Sequence, residues 1–363
     1  MDLSTRYLGL ALRNPLVASA SPLSNTADGV RRLADSGVGA VVLYSLFEEQ
    51  VRREAAANAA LADAGTESFA ESLSYFPAAA DASPGPRRYL SLLERAAAAV
   101  DIPVIASLNG VTTGGWTDYA SALEQAGAAA IELNIYNLAG GPPPPAHLLS
   151  PLSAPSPDSA LSPFPAAREV EQRHVEILTT VKAVVGVPVA VKLSPYFSSP
   201  GEMALRLDRA GADGLVLFNR FLQPDIDPET LTVTARFGLS SAAEGRLPRA
   251  WIALLAGRVR ASLAATTGVE TAADVAKYLL AGADVVMTAS ALLRHGPAYA
   301  GVLLDELSDW MTRKGFGTVA GFRGMLSVPA GTDQAAYERA GYVTALEAAN
   351  TSGATSMILK DFP

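Results

Sequence analysis

Apolar residues fall along this chain in short bursts, each opened by a small-residue turn and closed by a polar side chain, and one such phrase is written four times. The copies run Ser36–Ser45, Ala126–Asn134, Ala210–Asn219 and Ala281–Ser290, with a glycine at the second position of each: Gly37, Gly127, Gly211 and Gly282. A glycine just past a helix ends it at no Cβ cost, and a short apolar run bounded that way predicts a buried parallel strand. Four further runs share this character: Leu16–Ala20, Val104–Asn109, Val189–Lys192 and Ser262–Ala265. Eight strands separated by helix-length amphipathic segments predict a (β/α)8 TIM barrel.

The predicted outer helices are 27–36, 89–100, 116–126, 170–185, 202–210, 251–261, 272–281 and 298–314. Residues 5–12, turning at Gly9, predict an N-terminal hairpin over the barrel's N-terminal mouth. Two insertions are expected at the opposite, C-terminal mouth. One is a Pro-rich loop at 140–167, which holds nine of the 24 prolines and follows the fourth strand. The other, 220–248, follows the sixth strand, and its Pro224–Pro228 segment reads as a turn. The barrel is assigned to 1–326. Residues 327–363 are read as a C-terminal extension with one helix, packed on the barrel or on another subunit.

Composition narrows the chemistry. The 363 residues include no cysteine, which removes disulfides, thiolate metal sites, cysteine-held iron–sulfur clusters and a cysteine base. A net charge of -8 argues against a nucleic-acid partner. Every long apolar stretch is interrupted within the roughly 18 residues that a membrane span needs, so no membrane partner is expected. The start, Met1–Arg6, lacks a basic region followed by an apolar one, and the expected location is cytoplasmic. His147, His174 and His295 have no metal or triad spacing and are assigned surface or capping positions.

In this fold, polar residues at the C-terminal strand ends converge on one mouth. Here they include Ser19, Tyr44, Ser45, Asn109, Asn134, Lys192, Asn219, Thr266–Gly268, Ala289 and Ser290. Asn109, Asn134 and Asn219 offer paired donors and acceptors suited to a planar heterocycle, though each alone is also a common turn former. Strand parity turns Lys192 toward the barrel interior with Ala190, where its charge requires a negative partner. That partner is either Glu132 on the neighbouring strand or an anionic ligand. The loops after strands seven and eight stand where barrels bind phosphate.

From about Leu3 to Leu326 the chain resembles the dihydroorotate dehydrogenase family of FMN-dependent barrels. The matching segments are Asn14–Ala20, Glu132–Asn134, Val191–Phe197, Thr266–Thr271 and Thr288–Leu292 with Gly296–Pro297. The resemblance implies that Lys192 contacts the flavin's N1 and O2 edge and that Ser19 and Ala20 lie against the ring. It implies that Thr267, Gly268, Ala289 and Ser290 hold the phosphate. Asn109 and Asn134 are further flavin contacts, with Asn134 and Asn219 also facing a small planar substrate. The activity implied is oxidation of dihydroorotate to orotate, in pyrimidine biosynthesis.

The chain departs from the family at the reacting groups. Asn137 stands where the resemblance places the catalytic base, and an amide does not accept a proton near neutral pH. Tyr44 replaces the family lysine at the end of strand two, and Glu71–Pro77 replaces the substrate loop. Tyr44, Ser45 and Tyr136 are the candidate substitutes for the base, and the substrate is open to differ. A homodimer and a separate electron-transfer partner are expected. Two other readings stay open: a flavin-free phosphate-binding lyase or isomerase using Lys192, and a non-catalytic flavin-binding subunit.

Overall fold

The structure, a computed structural model, describes residues 1–50, 86–110, 116–136, 165–234 and 238–351. Its centre is a closed barrel of eight parallel strands. In chain order these are Leu16–Ala18, Ala40–Val42, Val104–Gly110, Ala130–Ile135, Val189–Lys192, Gly214–Leu217, Ser262–Ala265 and Val285–Thr288. Each strand pairs in parallel with its chain neighbours, and the eighth closes on the first through Val286–Leu16 and Thr288–Ala18. This is the predicted TIM barrel. The repeated glycines serve one purpose: Gly37, Gly127, Gly211 and Gly282 all take positive φ, between 93° and 116°, where a helix gives way to the next strand. A short strand the sequence reading did not anticipate, Leu46–Phe47, adds to the upper part of strand three.

The core divides in two. Val189, Val191, Leu215 and Leu217 pack outward against the helices, whereas Ala190, Val216, Ala264 and Met287 face the barrel axis. Alternation along each strand produces the two sets. The N-terminal hairpin, Thr5–Tyr7 with Leu10–Leu12, delivers Tyr7, Leu8 and Leu12 into the axial cluster. Leu8 also donates its backbone N–H to Ser262 Oγ at the foot of strand seven. At the foot of strand six a Cβ on Gly214 would lie 2.4 Å from the Leu8 side chain, so a larger residue there requires the plug's Leu8 to move.

Three local expectations are corrected. The helix expected at 251–261 runs Arg246–Leu255: a 3-10 turn, Ala242–Gly245, opened by the Ser241–Glu244 capping box, leads directly into it, and Pro248 sits within its first turn, where no N–H is needed. The segment read as a turn contains a strand, Asp225–Asp227, paired antiparallel with Thr232–Thr234. The turn follows it, where Asp227 Oδ1 accepts the N–H groups of Glu229 and Thr230. His174, expected at the surface, is buried at 1% exposure, with Nδ1 hydrogen-bonded to Val170 O at 2.7 Å. It is neutral at ordinary pH, since burial lowers its pKa to about 4.

The chain divides into two compact units, Met1–Ser327 and a second from Val328 that carries the helix Gln334–Thr351. Among the described residues, no helix is long and apolar enough to cross a membrane.

Candidate functional site

Strand register sets the site. Asn109, Asn134, Lys192 and Val216 align across strands three to six and form one layer at the C-terminal mouth. Directly beneath, Ser107, Glu132, Ala190 and Gly214 form the next. Lys192 Nζ reaches diagonally down to Glu132 Oε1 at 3.3 Å, and both side chains are almost fully buried. Glu132 is 1% exposed and its Oε2 has no partner among the described residues; the same holds for the hydroxyl of buried Tyr7 on the plug. Burial pushes the Tyr7 phenol far above its usual pKa, and the nearby Glu132 charge adds to the effect. The ion pair anticipated between Lys192 and Glu132 is therefore present. An ammonium has three donors, so a single bond to Glu132 leaves others for a ligand above.

Asn134 and Asn219 are brought together: Asn219 Nδ2 donates to Asn134 Oδ1 at 2.6 Å. Tyr136 stacks on Phe221 at 4.5 Å, and its hydroxyl accepts the N–H of Leu222. These contacts tie strand four to the loop after strand six. Asn137 and Glu71–Pro77 lie outside the described residues, as do residues 140–164 of the Pro-rich loop and His147.

A cavity of about 350 Å³ opens above Lys192. Ser19, Ala20, Lys192, Asn219, Thr267, Ala289 and Ser290 line it, so seven predicted site residues meet around one space. Asn109, Asn134 and Gly268 are not part of its lining. Thr267 and Gly268 take left-handed φ values of 78° and 69° and fold the chain sharply as strand seven leaves the barrel. A Cβ on Gly268 would approach Gly245 N to 2.4 Å. Tyr278 buttresses this turn by donating its hydroxyl to Thr267 O at 2.6 Å.

The sequence reading missed Ser240. Its hydroxyl and backbone N–H both lie 3.0 Å from Ser290 Oγ, and the Gly268 N–H donates to its Oγ at 3.3 Å. Arg294 donates to Ser240 O at 2.7 Å and pairs with Glu270, which also meets His295 Nε2 at 3.0 Å. The available signal was the capping box one residue later, which anchors this end of the insertion beside the loops of strands seven and eight.

A second cavity of about 490 Å³ lies beside strand two. Ala20, Ser21 and Pro22 line both cavities, and the second also takes in Asn25, Tyr44, Ser45, Phe47 and Arg88. Ser45 Oγ is 2.9 Å from Ser107 Oγ, whereas the Tyr44 hydroxyl has no hydrogen-bond partner among the described residues. Burial raises the Tyr44 pKa, with Arg88 working against it. Among the described residues, no group of three His, Cys, Asp or Glu side chains could hold a metal ion. A buried cation, amides and hydroxyls around an open space suit a flat, polar, partly anionic molecule.

The family model described as dihydroorotate dehydrogenase matches residues 152–311, the part of the chain that contains strands five to eight. The catalytic subunit of dihydroorotate dehydrogenase B (NAD(+)) from Halalkalibacterium halodurans is 30% identical over 61% of this chain and 67% of its own length. The corresponding subunit from Shouchella clausii is 30% identical over 59% of this chain, which spans 64% of that relative. A putative dihydroorotate dehydrogenase A (fumarate) from Aeropyrum pernix is 28% identical over 87% of this chain and 94% of the relative.

Proposed function

The chain belongs to the dihydroorotate dehydrogenase family, and on that premise we propose that it is an FMN-dependent oxidoreductase acting on a CH–CH bond of a small planar substrate. The observation that carries this reading is Lys192: an interior cation, held from below by Glu132, in the lining of a cavity where the small residues Ser19, Ala20, Ala289 and Ser290 also stand. The donor set fits FMN. Lys192 is the group for the anionic N1–O2 edge, and the small side chains of Ser19 and Ala20 admit a flat ring at close range. Thr267, Gly268, Ala289 and Ser290 are the groups for the phosphate, with Ser240 beside them. Asn219 and Asn134 orient the substrate, and Asn109 completes the polar layer.

FMN, when bound, supplies the two-electron acceptor. The chain supplies orientation, charge balance and a place for the departing proton. Asn137 does not take that proton, so the work falls to another group. Tyr44 is the preferred acceptor among Tyr44, Ser45 and Tyr136, since its hydroxyl is uncommitted while the other two are hydrogen-bonded. Its raised pKa makes the anion scarce near neutrality, and Arg88 favours the anion once formed. The expected signature is a rate that keeps climbing with pH through the alkaline range and a loss of about a hundredfold in Tyr44→Phe.

A separate electron-transfer chain is part of the proposal, because a chain without cysteine cannot itself hold a cysteine-ligated iron–sulfur relay. The cytoplasm is the proposed location. Absorbance of the purified protein tests the flavin, and anaerobic addition of dihydroorotate tests the substrate. Bleaching of the flavin bands with release of orotate is expected. A colourless protein that takes up no FMN overturns the flavin assignment; a yellow protein that dihydroorotate and other dihydropyrimidines leave oxidised overturns the substrate class.

A further inference from the structure

Tyr278 lines neither cavity, yet its hydroxyl is spent on the site. Its ring is fully buried in the second half of the helix Ala272–Ala281, with the Arg249 guanidinium 5.4 Å above the ring centre. For packing alone, phenylalanine would fill the same space. Among the described residues the hydroxyl bonds only to two carbonyls, Thr267 O at 2.6 Å and Thr266 O at 3.3 Å. Burial pushes the phenol well above its usual pKa, so it remains a donor across the ordinary pH range.

Those carbonyls belong to the turn after strand seven. A trans peptide is planar, so its C=O and the following N–H point in opposite directions. Drawing Thr267 O down to Tyr278 therefore aims the Gly268 N–H away from the helix, and it is found on Ser240 Oγ at 3.3 Å, beside Ser290. The turn needs such a hold. Thr267 is β-branched at φ 78°, a conformation that persists only where the surroundings fix it. Its own hydroxyl supplies a second anchor, to Phe218 O at 3.3 Å.

We propose that Tyr278 is a positioning residue for phosphate recognition: without touching the ligand, it holds Thr267 O and thereby keeps the Gly268 N–H presented as a phosphate donor. This rests on the flavin reading above and deepens it, by naming the residue through which the site tells a phosphorylated flavin from an unphosphorylated one.

The test titrates the full chain, freed of any bound flavin, with FMN and riboflavin by fluorescence and with inorganic phosphate by calorimetry. The native protein is expected to bind FMN about a hundredfold tighter than riboflavin. In Tyr278→Phe that preference should fall to about tenfold or less with riboflavin affinity unchanged, and phosphate should bind about tenfold more weakly. Arg249→Met, which strips the cation from above the ring but leaves the hydroxyl, should lower the melting temperature and keep the preference. A Tyr278→Phe variant that keeps the full preference, or loses both flavins alike, overturns the proposal, as does an Arg249→Met variant that loses the preference to the same extent. A native protein that binds the two flavins equally overturns it and leaves the flavin reading standing. One that binds neither flavin overturns the flavin reading, and the proposal is then decided by phosphate: weaker binding in Tyr278→Phe supports it, and unchanged or absent binding overturns it.

Discussion

The two cavities at the barrel mouth share a wall but are built in opposite ways. Around the Lys192 cavity the protein's polar groups largely satisfy one another: Lys192 with Glu132, Asn219 with Asn134, Ser240 with Ser290 and Gly268. Around the Tyr44 cavity the Tyr44 hydroxyl and the Arg88 and Asn25 side chains have no hydrogen-bond partner among the described residues. The first arrangement makes the site part of the fold, so damage there is read first as lost stability. The second leaves the fold indifferent to the site and reserves its groups for a ligand.

The contrast is easiest to break at Lys192. Lys192→Met leaves Glu132 as an unpaired buried carboxylate, with an expected cost of about 3–5 kcal/mol in the urea midpoint and loss of bound flavin. Adding Glu132→Gln should recover most of that stability and none of the flavin, which separates the ion pair's structural role from its ligand role. At Gly268 a methyl group meets the Gly245 backbone at 2.4 and 2.7 Å and also sits at positive φ. Gly268→Ala should therefore cost about 2–4 kcal/mol, combining overpacking with left-handed strain. Thr267→Gly works the other way. It relieves a β-branched residue at φ 78° but loses the 3.3 Å hydroxyl contact with Phe218 O, so a gain below about 1 kcal/mol is expected in the denaturation midpoint.

The smallest stability change belongs to the other cavity. Tyr44→Phe removes a hydroxyl without a partner among the described residues and should shift stability by less than about 0.5 kcal/mol at neutral pH, while activity falls. The sign of its pH dependence follows from burial. A folded-state pKa above the usual 10 favours the neutral phenol in the native state. That contribution is complete below pH 10 and is lost as pH rises through the folded-state value, where the unfolded chain ionises first. Tyr44→Phe should therefore blunt the alkaline fall in melting temperature. A large destabilisation of this variant at pH 7 would erase the distinction between the cavities.

How far the site was legible follows the same division. Strand ends were readable because parity and the repeated phrase set both face and position, and Lys192, Asn219 and Ser290 lie around one cavity as a result. Ser240 and Arg88 were not readable in this way. One arrives at the end of an insertion, the other at a helix start, and no periodicity says where such residues dock. His174 shows the reverse limit: its helical stripe marked it as amphipathic, but packing against Phe197 at 5.0 Å decided that it would be buried. The helix begins at Arg246, ahead of the apolar stripe at Trp251, because it continues from the capped 3-10 turn Ala242–Gly245.

The hairpin at the barrel's foot also bears on the order of events in turnover. With Tyr7, Leu8 and Leu12 filling the axis from below, the barrel is closed at its foot, and among the described residues the cavity beside Lys192 opens at the mouth. A single doorway imposes alternation. On the proposed function, the oxidised ring leaves before a second small molecule occupies the same place, unless the electrons depart sideways through a docked partner. Parallel initial-rate lines are the mark of the first route, and their convergence when the partner chain is supplied would be the mark of the second.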